Sequence, residues 1–234
     1  MLLLSFETSA KAASAAVHDG QRLLGESYQN TGLTHSQTLL VMAQDLLRTC
    51  GCTPQDVTAV AVAAGPGSFT GVRIGVAAAK GFAWGRALPC YGVSTLEAMA
   101  LGLGIHRGYV CPMMDARRSQ VYNALFYVNC GSCTRLRGDR AISLQELGED
   151  LQTLDGPVFL VGDGSVLCYN TLSEKVPDLV LPEEHRQHQR AAGVALAALK
   201  RIGAGDSGDG MALVPNYLRL SQAERERLAR EQQK

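Results

Sequence analysis

A glycine-rich turn between two apolar segments is the first feature of this sequence that could do chemistry. The turn, "GPGSFTG", covers residues 65–71 and places Gly67, Ser68 and Thr70 at the predicted start of a helix. Backbone N–H groups at a helix start bind anions, and Arg73 in the first turn could assist. The glycine spacing is neither that of a P-loop nor that of the dinucleotide-binding motif. The turn predicts either an anion site or a capped strand–turn–helix junction, which is the more common use of such turns.

A second polar group follows the first predicted strand. Glu7, Thr8 and Ser9 come directly after the apolar residues "LLLSF". A carboxylate and two hydroxyls at a strand end suit a loop that faces a phosphate or a metal, although these residue types cap turns and helices more often. Together with Gly67 and its neighbours in the turn, they form the candidate anion site, or joint nucleotide site, of this sequence.

The histidines and cysteines predict no metal site. His35 has no second histidine at i+4, which a helical metal site would use. Cys130 and Cys133 form one C-x-x-C pair, and Cys50 with Cys52 could complete a four-thiolate zinc site, but nothing in the sequence brings the pairs together. The seven cysteines are odd in number and scattered, which favours a reduced, cytoplasmic protein.

Charge and composition exclude several classes of protein. The 234 residues include 22 Lys+Arg and 22 Asp+Glu, so the chain lacks the basic excess of a protein that binds nucleic acid alone. Its 46% apolar and 19% charged residues are typical of globular proteins. The segment "MLLLSFETS" has no basic region, and no run reaches the ~18 apolar residues of a membrane span. We therefore expect a globular protein without a signal peptide or membrane segment.

The elements that must position these residues alternate between strands and helices. The first half predicts three strands in an antiparallel meander, with a tight turn at Asp19-Gly20. A helix at 36–49, a buried strand within 56–65 and a helix from about 70 to 85 follow, and then another strand and helix. The order β-β-β-α-β-α-β-α indicates an α/β protein with a mixed sheet.

From residue 106 the pattern changes to hairpin strands. "YVCPMMDAR" and "SQVYNALFYV" predict two of them, "GPVFLVGDG" predicts a strand and loop, and 190–202 reads as a helix. "VPNYLRL" reads as an edge segment, because Pro215 cannot donate to a ladder. We therefore predict an N-terminal lobe over 1–105, a C-terminal lobe over 106–220 and a polar tail over 221–234. The helix at 190–202 could pack back on the first lobe.

The helix that follows the glycine turn has small residues along one face. Each glycine costs about 1 kcal/mol relative to alanine in a helix interior, so its presence needs a reason. Gly71, Gly75 and Ala79 lie at i, i+4 and i+8 and therefore share a face. Such a stripe lets another backbone approach closely. That backbone could belong to the chain's own sheet or to another subunit, and the stripe itself does not distinguish them.

Several motifs occur in a fixed order along nearly the whole chain. They are "LLLSFETS", "AAGPGSFTGVRIG", "GVSTLEAMA", "MMDARRSQVYNALF", "GDG" and "PNYLR". Together they resemble the TsaB (YeaZ) family, the smaller of two related subunits in the bacterial machinery that makes N6-threonylcarbamoyladenosine in tRNA. The resemblance implies the two-lobed fold of actin, sugar kinases and chaperone ATPases.

The resemblance also implies that this subunit is not catalytic. The larger paralogue, TsaD, binds a metal through H-x-x-x-H, and an ungapped alignment places Thr95 and Met99 at the ligand positions. Neither side chain can replace a neutral imidazole. The chain is thus expected to be a pseudoenzyme without its own cofactor, while the partner subunits use ATP and a metal. Its expected partners are TsaD, TsaE and, through the complex, tRNA, and the isolated chain could form a homodimer.

The same resemblance implies an interface in which the helices at 36–49 and 70–84 pack against the same helices of TsaD. The expected interface residues are Leu39, Met42, Ala43, Leu46, Gly71, Arg73, Gly75 and Ala79. Arg73 lies beside the positive end of its helix, so it should have an anionic partner, either a carboxylate of TsaD or Glu7 of this chain.

Two other functions stay open at this point. A kinase-like member of the fold would bind ATP as an isolated chain. A metal-dependent, glycoprotease-like peptidase would hold a divalent metal and lose proteolysis on chelation, because its water would need that metal for activation.

Overall fold

The computed structural model describes residues 1–117 and 119–219, and the predicted tail at 221–234 lies outside them. The strands of the first sheet are β1 (Leu3–Glu7), β2 (Ala13–His18), β3 (Leu23–Gln29), β4 (Ala59–Gly65) and β5 (Cys90–Ser94). Their order in the sheet is β3-β2-β1-β4-β5. β1, β2 and β3 pair antiparallel, whereas β1, β4 and β5 pair parallel. The predicted mixed sheet is confirmed.

The second sheet consists of β6 (Arg107–Asp115), β7 (Gln120–Asn129), β8 (Ser132–Ser143), β9 (Val158–Val161) and β10 (Leu179–Val180). Its order is β10-β9-β6-β7-β8, in which β6, β7 and β8 form an antiparallel meander. β9 pairs parallel with β6 and with β10. Each sheet belongs to one of two α/β lobes.

The helices of the described residues are α1 (His35–Thr49), α2 (Phe69–Trp84), α3 (Thr95–Gly102), α4 (Leu144–Gln152), α5 (Ser165–Leu172), α6 (Glu184–Gln187) and α7 (Ala191–Gly203), with a 3-10 turn at Pro54–Asp56. None of them is long and apolar enough to cross a membrane. α7 contacts all five strands of the first sheet, and α3 contacts strands of both sheets. α3 therefore joins the two lobes.

Strand alternation in β1 and β4 explains how helices cover both faces of the first sheet. Leu4, Phe6 and Val60 point to one face and share a core with α1 and α2. Leu3 and Ala61 point to the other face and pack with α3 and α7. Because successive side chains of a strand point in opposite directions, a strand that is apolar at every position must be buried on both sides.

Five elements of the second lobe were not predicted: β8, β10, α4, α5 and α6. β8 is an edge strand whose sequence, "SCTRLRGDRAIS", is rich in charged and small residues and has no apolar alternation. The prediction of an edge segment at "VPNYLRL" is wrong, since no residue of 214–219 joins a strand. Asn216 instead donates its N–H to the carbonyl of Ala64 at 2.6 Å and holds this segment beside the end of β4.

Candidate functional site

A cleft of about 570 Å³ opens between the two lobes, where the carboxyl ends of the strands meet. One wall consists of Ser9 and the glycine turn, and the opposite wall of the residues that follow β6. The lining residues are Ser9, Ala10, Lys11, Pro66, Gly67, Ser68, Phe69, Thr70, Met114, Asp115, Ala116, Arg117, Tyr122, Asp163, Asn216, Tyr217, Leu218 and Arg219. Four of the residues named from the sequence, Ser9, Gly67, Ser68 and Thr70, therefore lie together on one wall.

Hydrogen bonds between the end of β1 and the start of α2 fix this wall. Ser68 donates its N–H to the carbonyl of Ser9 at 2.7 Å, and the Oγ of Ser68 caps α2 by accepting from the N–H of Gly71 at 3.3 Å. The Oγ1 of Thr8 donates to the carbonyl of Gly71 at 2.8 Å. Thr8 is fully buried by this contact, so its hydroxyl holds the fold and does not face the cleft.

Glu7 also lies behind the wall. Its side chain is buried, and its Oε1 accepts the N–H of Ser9 at 2.5 Å, while Oε2 has no partner among the described residues. Burial raises the pKa of Glu7 to about 7.

The cleft floor is formed by Asp163. Burial also raises the pKa of this carboxyl group, although it accepts the N–H of Asp115 at 3.3 Å. The floor is therefore acidic and poorly solvated.

The wall formed by Ser9 and the start of α2 favours negative charge. The N–H groups of Phe69 and Thr70, at the start of α2, have no acceptor in the described part of the chain. The Oγ of Ser9 is buried and likewise lacks a partner there. Lys11 adds a cation to the lining. The cleft can thus hold an anionic group on the α2 side and a cationic group or metal-bound phosphate toward the acidic floor.

Sequence reasoning missed much of this cleft. The sequence patterns place Asp115 and Arg117 only in the predicted hairpin segment "YVCPMMDAR", and Asp163 only in the "GDG" motif. A usable signal was present, because "GDG" follows a predicted strand directly. Carboxyl ends of neighbouring parallel strands meet at one edge of a sheet, so polar residues there gather in space.

Arg73 has partners within the chain, but Glu7 is not one of them. The Nε of Arg73 donates to the hydroxyl of Tyr217 at 2.7 Å, and its guanidinium lies 3.8 Å from the ring centroid of Phe69. The rings of Phe69 and Tyr217 stack at 4.7 Å. Glu7 bonds to Ser9 instead, so the expectation of a Glu7–Arg73 pair is wrong. The cation of Arg73 is stabilised by two aromatic rings.

The small-residue stripe of α2 faces the chain's own first sheet. A Cβ atom on Gly71 would collide with the carbonyl oxygen of Thr8, and one on Gly75 would collide with the Oγ1 of Thr8. Ala79, on the same face, is completely buried. The expectation that these three residues contact another subunit is therefore corrected. The glycines are needed because α2 crosses the end of β1 at very short distance.

The expected contact residues of α1 are corrected in the same way. Leu39, Ala43 and Leu46 are buried in the core beneath α1 and α2, and Met42 is buried as well. An amphipathic helix turns its apolar stripe toward its own core, so this stripe was a poor indicator of a partner surface.

The outward sides of α1 and α2 nevertheless expose apolar residues. Leu40 and Val41 of α1 are 52% and 58% exposed, and Trp84 of α2 is 69% exposed. α1 and α2 contact each other, so their outward sides adjoin. The exposed residues of α2 share one helix face and are Thr70, Arg73, Ala77, Gly81 and Trp84. We call Leu40, Val41 and these five residues the outward face.

Comparison with known proteins decides the family. Residues 29–226 match a family model described as TsaD, tRNA N6-adenosine threonylcarbamoyltransferase. The chain is 32% identical over 225 residues to the tRNA threonylcarbamoyladenosine biosynthesis protein TsaB of Bacillus subtilis (strain 168), with 96% of each chain covered. The chain belongs to the TsaB (YeaZ) family. The family resemblance drawn from the sequence motifs is confirmed, and the chain belongs among proteins of tRNA threonylcarbamoyladenosine biosynthesis.

Solved structures agree with this assignment. YeaZ from Pseudomonas aeruginosa is 26% identical to the chain, with a TM-score of 0.74 over 93% of this chain and 99% of that chain. Component A of (R)-2-hydroxyglutaryl-CoA dehydratase from Acidaminococcus fermentans is 12% identical, with a TM-score of 0.52 over 87% and 99% of the two chains. The latter likeness concerns the fold alone. The predicted two-lobed, actin-like fold is confirmed.

The positions aligned with the TsaD metal ligands lie inside this TsaB-family fold. Thr95 and Met99 are one turn apart on α3, and both are buried. Glu97, between them, is bound by Lys200 at 2.9 Å and Arg135 at 3.3 Å, and its pKa lies below its usual range. Among residues 1–117 and 119–219, no group of three or more His, Cys, Asp or Glu side chains could hold a metal ion.

Proposed function

We propose that this chain is a non-catalytic, cytoplasmic subunit that docks on TsaD through the outward face. In this role it supports the transfer of the threonylcarbamoyl group to N6 of the tRNA adenosine 3′ of the anticodon, and it helps to recruit TsaE. ATP and a metal act in the partner subunits. The tRNA is held by the whole complex, which agrees with the zero net charge of the chain.

The observation that carries this proposal is the exposure of Leu40, Val41 and Trp84 on two adjoining helices. Large apolar side chains that lie together on a surface mark protein interfaces more often than chance, and tryptophan is the residue type most enriched at their energetic centres. Ala77 and Gly81 lie on the same exposed side of α2 as Trp84, and their small size would allow a partner helix to approach closely. A Cβ on Gly81 meets nothing within 4 Å among residues 1–117 and 119–219, so these residues leave the space above it open.

Charge substitution on the outward face tests the proposal. Val41→Asp should reduce affinity for the cognate TsaD-type protein at least tenfold, because it removes a buried apolar contact of roughly 1.5–3 kcal/mol and adds an unpaired charge. It should also lower threonylcarbamoylation of tRNA by the reconstituted proteins. Val166→Asp is the matched control, since Val166 is exposed on α5 of the other lobe. If both variants retain wild-type affinity and activity, the outward face is not the docking surface.

The cleft supports one alternative, a kinase-like site that binds nucleotide. The observation in its favour is the Oγ of Ser9, which has no partner in the described part of the chain, together with the N–H groups at the start of α2. The cleft residues Gly67, Ser68 and Thr70 stay a predicted anion or joint nucleotide site. Calorimetric titration of Mg·ATP into the isolated chain separates the two functions. Micromolar binding that Ser9→Ala weakens would favour the kinase-like alternative, whereas the subunit proposal expects no such binding.

A further inference from the structure

The segment Asp206–Arg219, which we call the strap, follows α7 and is held along the first lobe mainly through its backbone. Cys90 donates its N–H to the carbonyl of Gly208 at 3.2 Å. The Nζ of Lys80, on α2, donates to the carbonyls of Met211 and Leu213 at 3.2 and 3.0 Å. The side chain of Leu213 is buried in the core of the first lobe. The strap therefore has a fixed course beside α2.

Near its end, at the cleft, the strap contributes Tyr217 to a cluster with Phe69 and Arg73, which we call the aromatic latch. Tyr217 stacks on Phe69 and accepts the hydrogen bond from Arg73, so the latch ties the strap to the first turn of α2. Two residues later, a guanidinium nitrogen of Arg219 donates to the carbonyl of Ala116 at 3.2 Å. Ala116 belongs to the second lobe. The end of the strap thus spans the cleft from one lobe to the other.

The strap also exposes a row of large side chains next to the outward face. Met211 and Val214 are 66% and 67% exposed, as much as Trp84, and Tyr217 is exposed as well. The strap contacts α2 at Lys80 and at Arg73, which are seven residues, or two helical turns, apart and therefore on nearly the same side of α2. The exposed row of the strap is continuous with the outward face along this stretch.

We infer that the strap is part of the docking surface and that its occupant is a TsaD-type protein. The inference rests on the proposed function and extends it. The partner contacts Met211, Val214 and Tyr217 together with α2, and it places a carboxylate on Arg73. A carboxylate is the expected group because Arg73 lies at the positive end of α2 and, among the described residues, contacts only uncharged rings and a hydroxyl. A docked partner therefore covers the exposed side chains of the strap.

The affinity of the full-length chain for the cognate TsaD-type protein tests this inference, with four variants compared by calorimetry. Met211→Asp and Val214→Asp, both at exposed positions, should each weaken binding at least tenfold while the melting temperature stays unchanged. Val166→Asp should bind within about twofold of wild type. Loss of binding by Val166→Asp as well would overturn the inference, because the effect would then not depend on the face.

The comparison with Val41→Asp separates this inference from the proposed function. If Val41→Asp weakens binding and both strap variants bind normally, the strap is not part of the interface, while the outward face of the helices still is. If Val41→Asp binds normally, the proposed function itself is wrong. Hydrogen exchange gives a second readout, in which backbone amides of 206–217 should exchange more slowly in the complex. Unchanged exchange of these amides would contradict contact between the partner and the strap.

Discussion

Two glycines of α2, Gly75 and Gly81, give a matched test of which side of this helix packs against its own sheet. A methyl group on Gly75 would collide with the Oγ1 of Thr8 and lie 3.2 Å from Val62 Cγ2, whereas one on Gly81 meets no atom of the described residues within 4 Å. Both Gly→Ala changes gain about 1 kcal/mol of helix propensity. This gain cancels in the comparison, so the difference between the variants measures the packing cost alone.

Overpacking in a closed core costs roughly 1–3 kcal/mol, and Gly75→Ala would also displace the Thr8 hydroxyl from the carbonyl of Gly71. Gly81→Ala should therefore be at least as stable as wild type, and Gly75→Ala should be less stable than Gly81→Ala by about 1–3 kcal/mol. For a chain of this size, each kcal/mol corresponds to a shift of roughly 2–4 °C in melting temperature. Urea unfolding of the two variants is the assay. Equal stabilities would refute the assignment of the inward and outward sides.

Two further predictions concern Glu7 and Arg73. Burial raises the pKa of Glu7 from 4.5 to about 7. The protonated carboxyl therefore stabilises the folded state, and this contribution is complete below pH 4.5. Wild type should lose about 3 kcal/mol of stability as the pH rises from 4.5 through 7. Glu7→Gln should show no such loss in unfolding experiments between pH 4.5 and 8, and an identical pH dependence would contradict the buried carboxyl. Arg73→Ala should lower the free energy of unfolding by about 1 kcal/mol through loss of the Phe69 and Tyr217 contacts, an effect that Glu7→Gln at pH 5 should not reproduce. An unchanged stability of Arg73→Ala would mean that the aromatic latch contributes nothing.

The first lobe could be predicted because its sequence signals are strong and local. A strand buried on both faces, such as β4, must be apolar at nearly every position, and Asp19-Gly20 marks the turn between β2 and β3. The second lobe is harder because β8 is an edge strand, in which charged and small residues replace the apolar alternation. α4 had a readable signal that was missed, namely the capping box formed by Ser143 and Glu146.

The proposed docking surface could not be predicted from the spacing of apolar and small residues in α1 and α2. Spacing shows that Gly71 and Gly75 permit a close approach, but only the tertiary structure shows that the approaching group is Thr8 of the same chain. The regular apolar stripe of α1 likewise marks the core. Residues such as Leu40 and Val41, which break the polar side of an amphipathic helix, form part of the proposed docking surface.

The strap shows a different limit of sequence reasoning. Pro215 led to the prediction of an edge segment, because proline cannot donate to a ladder. Residues 214–219 join no sheet at all. Its position depends on contacts between residues more than 100 positions apart, such as Tyr217 with Arg73. No local pattern encodes such a contact.

The environment of Trp84 tests the central claim, docking through the outward face, most directly. Trp84 is the single tryptophan of the chain, so incorporation of 5-fluorotryptophan gives one ¹⁹F NMR signal, which reports on the proposed interface. Titration with the unlabelled, cognate TsaD-type protein should move this signal and abolish its shift between H₂O and D₂O, because the indole ring, now 69% exposed, becomes buried. A complex that forms and supports tRNA threonylcarbamoylation while the Trp84 signal keeps its position and its solvent shift would contradict docking through this face.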